Sequence, residues 1–246
     1  MFTKDEARNV VGIIGNIISL VLFLSPVTTF YGIWKKKSVE QFSPFPYLAT
    51  FMNCGLWVLY GLPMVQPGNK LVVTINGSGF AIEIVYLSLF IIFSDRKKRM
   101  RLVVFVVAEC MLLAVLAVLV LTLAHTTKVR SAVVGSICIA GNIMMYAAPL
   151  AVMKLVIKTR SVEYMPFLLS LFAFLNGVLW TTYALTRFDP FMLAPNGLGA
   201  LFSLAQLVLY ATFYRSTKRI MAERKAQGEV GLAEKSNSDT NNVGHV

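Results

Sequence analysis

The chain repeats itself. The stretch from Pro26 to Gly79 recurs after a shift of 123 residues, which aligns Pro26 with Pro149 and Ser38-Val39-Glu40 with Ser161-Val162-Glu163. The same shift aligns Asn53 with Asn176, Trp57 with Trp180 and Tyr60 with Tyr183. After a three-residue deletion the shift becomes 120, and Asn76-Gly77-x-Gly79 meets Asn196-Gly197-x-Gly199. A duplication of this length fixes the architecture before any single element is assigned. Its polar members also interrupt long apolar runs, where an unpartnered polar side chain is costly.

Those runs define the solvent. Hydrophobic residues make up 57% of the chain and charged residues only 14%, with a mean hydropathy of +0.68. A soluble domain carries about a quarter charged residues, so the chain is expected to be an integral membrane protein. The net charge of +11 is gathered in short basic clusters between apolar runs, which argues for membrane orientation and against nucleic-acid binding. Cys54, Cys110 and Cys138 lie inside apolar runs and are expected to be small buried hydrophobes with no disulfide or metal role.

Seven runs are long enough to cross about 30 Å of hydrocarbon. They lie near 10–34, 45–63, 71–93, 102–124, 131–153, 165–185 and 191–213. All are expected to be helices, because backbone groups in lipid must be satisfied internally and no alternating strand pattern is present. Of the 23 lysines and arginines, 17 fall on one side of these spans, including Lys35–Lys37 and Arg96–Arg101. The positive-inside bias puts that side in the cytosol, with the N-terminus outside and the C-terminus cytosolic.

Repeat and span count constrain each other. A three-helix unit has an odd number of crossings, so two adjacent copies would insert upside-down relative to each other. The unmatched run 102–124 restores the orientation. The predicted fold is therefore all-α, with seven transmembrane helices as two parallel three-helix repeats joined by a linker helix. Boundaries follow at 1–96, 97–126 and 127–215. Residues 216–246 form a cytosolic tail that turns polar from about Ala222 and is expected to be disordered.

Asn53 and Trp57 are four apart, as are Asn176 and Trp180, so each pair shares a helical face. Asn76 and Asn196 sit in the third helix of each repeat, beside glycines expected to permit close backbone approach. Singly, each Asn fits interhelical hydrogen bonding and each Trp fits packing. As a symmetric set they fit a cavity for a neutral polyhydroxyl ligand, since amides both donate and accept and aromatic faces cover C–H surfaces. The sequon at Asn76 lies inside a span.

Pro26 and Pro149 interrupt the first helix of each repeat, while Pro46 and Pro166 stand near the start of the second. A set at one depth suggests a cytosolic hinge; static kinks are the alternative. Glu83 and Glu109 are the only acids within spans. They are candidates for proton coupling, although structural hydrogen bonding or a rim position fits better, since Glu83 has Ser203 as its repeat partner. Tyr60, Tyr183 and Asp189 lie at outer helix ends and suit either an outer gate or packing. No catalytic motif is present, and His125 and His245 fall in loop and tail.

These residues resemble the SWEET sugar transporters of plants, the MtN3/saliva repeat type. The resemblance covers nearly all of 7–215. It is carried by Leu24-Ser25-Pro26-Val27-Thr28-Thr29-Phe30, Ser38-Val39-Glu40, the stretch from Asn53 to Tyr60, and Thr74-Ile75-Asn76-Gly77. In the second repeat it is carried by Ala148-Pro149-Leu150, the stretch from Ser161 to Phe167, and Pro195-Asn196-Gly197. Parallel repeats are the known architecture of that family, so symmetry and resemblance are one observation. The resemblance implies a facilitative bidirectional uniporter that works by alternating access without ions, nucleotides or cofactors. It implies a pocket of Asn76, Asn196, Trp57 and Trp180, flanked by Leu22, Asn53, Met145 and Asn176, and a proline hinge. It also implies a homo-oligomer and a plasma-membrane location. Sucrose-moving members tend to have small residues where this chain has Asn53 and Asn176, so the chain looks like the hexose branch. A sucrose-moving member, a proton-coupled PQ-loop transporter and a seven-helix receptor are the rival readings. The Pro-Gln dipeptide of the PQ-loop class is missing at Pro26-Val27 and Pro149-Leu150, and the internal repeat argues against a receptor.

Overall fold

A computed structural model describes residues 3–243, with side chains described through Gln227. The first span is two helices, α1 (Lys4–Leu24) and α2 (Val27–Lys36), followed by α3 (Phe45–Gly61) and α4 (Lys70–Phe93). Next comes α5 (Arg96–Leu123). The second repeat is α6 (Thr127–Met145) and α7 (Ala147–Thr159), then α8 (Phe167–Thr186) and α9 (Pro190–Val243). Counting each broken helix as one span gives the expected seven. Six are long and apolar enough to cross a bilayer. The seventh, α3, has 17 residues and is a little short, because Pro63 holds Leu62 in an extended conformation and ends the helix at Gly61.

Local chemistry sets the helix ends. Thr3 and Glu6 form a reciprocal capping box on α1, Asp95 accepts from Lys98 N at 2.9 Å on α5, and Thr126 accepts from Val129 N at 3.3 Å on α6. Helices α2 and α7 end on Lys37 (φ 56°) and Arg160 (φ 50°), repeat partners in the same left-handed conformation.

The repeats interlock by exchange. Helix α1 packs on α8 and α3 packs on α6, while α2 packs on α4 and α7 on α9 within their own repeats. The two halves are therefore joined along α1, α3, α6 and α8, and the α2 and α7 ends stay with their own units. The linker α5 leans on α3, α4 and α6 and buries only Leu102 and Val120, leaving a long apolar face of the kind lipid covers.

Several expectations are corrected. Cys54 and Cys138 are buried, but Cys110 is exposed on the apolar face of α5. The backbone of α9 is helical through Val243, where a disordered tail was expected from 216. Residues 216–227 are rich in Lys, Arg, Ala and Glu, strong helix formers, and contain no Gly or Pro before Gly228. His125 is exposed, as expected for a loop, whereas His245 lies outside the described residues.

Candidate functional site

A cavity of about 230 Å³ opens between the repeats, lined by Asn53, Trp57, Asn76, Asn176, Trp180, Asn196 and Leu22 among others. Seven of the eight expected pocket residues thus meet in one place. The eighth, Met145, lines an adjoining chamber of about 430 Å³ that shares Leu22, Asn142, Tyr146, Asn176 and Asn196 with the first. That chamber runs on past Pro149 to Phe202 and Gln206. The cavity therefore continues toward the α2/α7 end of the bundle.

Asn76 and Asn196 are held alike. Asn76 Nδ2 donates to Val72 O at 2.9 Å and Asn196 Nδ2 to Met192 O at 2.8 Å, each one turn back on its own helix. One of the two amide N–H donors is used internally, and the carbonyl oxygen is left as an acceptor for a ligand hydroxyl. The glycines act differently from expectation. Gly77 has open space around it and Gly197 only a distant hydroxyl, whereas Gly79 sits under the Phe23 ring and a Cβ at Gly199 would stand 3.1 Å from the Tyr146 hydroxyl. Phe23 and Tyr146 are repeat partners, so the second glycine of each motif makes room for an equivalent ring.

The two Asn/Trp pairs are not held alike. Ser19 Oγ on α1 donates to Asn176 Oδ1 at 2.5 Å and accepts from Trp180 Nε1 at 3.0 Å. The repeat partner of Ser19 is Asn142, which instead donates to Cys138 O at 3.1 Å. Asn53 Oδ1 is buried without a partner, and Trp57 Nε1 makes no hydrogen bond among the described residues. One half of the cavity is internally satisfied and the other is left with free polar atoms. Gly15 leaves room for Trp180, whose ring lies 3.3 Å from where a Cβ would stand.

Ser19, Asn142 and Tyr146 were missed by comparing identities. The 123-residue shift does pair Ser19 with Asn142, two polar residues inside apolar runs, which is the signal that would have found them.

At the other end the cavity is closed. Tyr60 is fully buried, and its hydroxyl donates to Asp189 Oδ1 at 2.7 Å and Oδ2 at 2.9 Å. Asp189 also caps α9, accepting from Phe191 N at 3.1 Å and Met192 N at 3.2 Å. Tyr183 lies under the Arg8 guanidinium, 3.9 Å from the ring centroid. Arg8 in turn donates to Gly68 O at 2.8 Å and Asn69 Oδ1 at 2.6 Å. Asn69 is the repeat partner of Asp189, so the outer residues join into one network across both repeats. Arg8 was not among the expected site residues.

The prolines divide into two kinds. Pro26 follows the end of α1, where Ser25 Oγ takes up the Leu22 carbonyl at 2.8 Å. Pro149 lies three residues past the break at Tyr146, whose hydroxyl donates to Pro195 O. These two sit at true interruptions. Pro166 is the N-cap of α8, Pro44 is the N-cap of α3, and Pro46 stands just inside α3, where proline is tolerated without a kink. By helix position Pro44, rather than Pro46, is the counterpart of Pro166. The acids are also placed differently from expectation. Glu83 is buried in the first repeat, with Oε2 unpartnered and no hydrogen bond among the described residues, so it is neither at a rim nor in a structural pair. Glu109 Oε2 is likewise unpartnered. Neither lines the cavity.

Two like three-helix repeats closing on a shared polar cavity define a membrane transporter rather than an enzyme. The family model described as "Sugar efflux transporter for intercellular exchange" matches twice, over residues 9–98 and 132–218, once per repeat. The chain is 60% identical over 228 residues to the bidirectional sugar transporter SWEET7 of Arabidopsis thaliana, covering 92% of this chain and 88% of that one. It is 54% identical over 225 residues to SWEET4 of Oryza sativa subsp. japonica, covering 92% and 87%. A solved eukaryotic SWEET transporter superposes with a TM-score of 0.84 at 41% identity, covering 86% of this chain and 99% of that one. The chain belongs to the SWEET family of sugar transporters.

Proposed function

We propose that this protein is a facilitative, bidirectional hexose uniporter for sugars such as glucose, galactose and fructose. The observation that carries this reading is the cavity itself. It presents two Asn carbonyls tied in matched geometry on Asn76 and Asn196, free polar atoms on Asn53 and Trp57, and aromatic walls from Trp57 and Trp180. Hydroxyl groups of a sugar fit those acceptors, and its C–H faces fit the indoles. Asn53 and Asn176 fill space that smaller residues would leave open, which favours a monosaccharide over sucrose. Transport proceeds by alternate exposure: the Tyr60–Asp189 end is the outer gate, and α2 and α7 rock about Pro26 and Pro149, with Pro46 and Pro166 standing at the starts of α3 and α8. The basic loops favour the cytosol for the α2/α7 end, and on that orientation the closed Tyr60–Asp189 end faces outward. Residence in the plasma membrane and homo-oligomeric assembly belong to the same proposal. Proton coupling is disfavoured, because Glu83 and Glu109 stand away from the cavity. The test is initial uptake of labelled glucose and of labelled sucrose into proteoliposomes, with and without a proton gradient. Glucose that equilibrates without accumulating, well ahead of sucrose, supports the proposal. Dominant sucrose flux or gradient-driven accumulation contradicts it.

A further inference from the structure

A separate cavity of about 180 Å³ lies between the loop after α2, the start of α3, the end of α4 and the start of α5. It shares no residue with the sugar cavity. Its walls include Phe42, Phe45, Leu102 and Phe105, with the Phe45 and Phe105 rings edge-on at 5.9 Å, and Lys98 and Arg101 join the lining. An apolar slot with cations beside it, at the charged end of a membrane helix, has the chemistry of an amphiphile site.

The basic residues of this segment differ in what they do. Arg99 closes the end of α4, donating to Ile91 O at 2.8 Å and to Ile92 O and Ser94 O at 3.1 Å. Lys98 stands 3.6 Å from Asp95 with most of its side chain in the open. Arg101 has no hydrogen bond or ion pair among the described residues. Cations in the first turns of a helix also face the positive end of its dipole, which a bound anion would offset. The second repeat is packed differently at this place. Its counterpart of Phe42 is Met165, only 2% exposed, against 47% for Phe42. Met165 packs with Val156 and Val162 against Leu209, Tyr210 and Phe213, whereas in the first repeat α5 stands beside α3 and α4 and supplies one wall of the slot.

We propose that this slot binds an anionic phospholipid of the bilayer leaflet it faces. The headgroup phosphate rests on Lys98 and Arg101, and one acyl chain runs along Phe42, Phe45 and Phe105. Charge complementarity selects the anionic lipid, and the apolar walls select a lipid over a soluble phosphate. Occupancy ties the loop after α2 to the linker helix, beside the start of α3.

The experiment follows thermal unfolding of the purified, delipidated full chain in detergent against phosphatidylglycerol, phosphatidylcholine and glycerol 3-phosphate. Phosphatidylglycerol is expected to raise Tm and the other two to leave it unchanged. The half-effect concentration should rise about tenfold or more in Lys98→Gln/Arg101→Gln. It should also rise in Phe105→Ala, which removes a partly exposed wall residue and keeps the charges. It should stay the same in Arg96→Gln/Lys97→Gln, which removes equal charge outside the slot. Equal protection by phosphatidylcholine, or by glycerol 3-phosphate, overturns the anionic-lipid assignment. So does a Lys98/Arg101 variant that responds like the parent, or an Arg96/Lys97 variant that loses as much.

Discussion

Ser19 and Asn176 are joined across the two repeats by a 2.5 Å hydrogen bond, and the equivalent bond between Asn142 and Asn53 is not made. The sequence symmetry is thus broken inside the cavity. One Asn/Trp pair is a fastener between α1 and α8, and the other is free to meet a ligand.

The asymmetry separates stability from transport. Ser19→Ala strands Trp180 Nε1 and Asn176 Oδ1 and should cost about 1–3 kcal/mol, read as a lower Tm in detergent. Asn53→Ala loses no protein partner, so its Tm should stay near the parent value while glucose uptake falls. Equal effects of both substitutions on Tm would count against the asymmetry.

The outer network makes a second prediction. Tyr60→Phe removes the bifurcated hydrogen bond to Asp189 and leaves the ring packing in place. Loss of a hydrogen bond to a charged acceptor is worth about 1.5–3 kcal/mol, enough to move a closed gate measurably toward open. A cysteine introduced near Met192 should react faster with an impermeant thiol reagent added from outside in this variant. No change in labelling rate would remove Tyr60 from the gate.

Pro26→Ala restores an amide that can reach the Leu22 carbonyl and straighten the first span. Glucose exchange should fall several-fold while Tm holds or rises, because a helical hydrogen bond is gained. A variant with lower Tm and unchanged exchange would make Pro26 a packing residue and not a hinge.

Much of the fold was legible because the repeat is written in rare residues. Trp57/Trp180, Asn76/Asn196 and Pro26/Pro149 align by identity, and an odd-numbered repeat requires a linker. What stayed hidden is what the second copy changed. Ser19 became Asn142 and Phe23 became Tyr146, pairs that the 123-residue shift aligns but that identity does not mark. Arg8 looked like a terminal charge, and its burial against Tyr183 depends on a turn sixty residues away at Gly68. Pro44, which the sequence reading did not single out, is the residue that caps α3, while Pro46 stands in its first turn near the helix start as expected.

Glu83→Gln should leave the pH profile of glucose exchange unchanged. The carboxyl group lies outside the cavity and makes no hydrogen bond among the described residues, so the neutral isostere fits the same space. A shifted or flattened profile would bring Glu83 into the transport cycle.

The central claim is that Asn76 and Asn196 hold the sugar from symmetric positions. The most direct measurement is exchange of labelled glucose across proteoliposomes containing Asn76→Ala or Asn196→Ala, with Tm recorded on the same preparations. Each variant loses one acceptor, worth about 1–1.5 kcal/mol or about tenfold. Each should therefore show about a tenfold or greater loss of exchange at an unchanged Tm. Exchange within twofold of the parent protein in either variant would contradict the account.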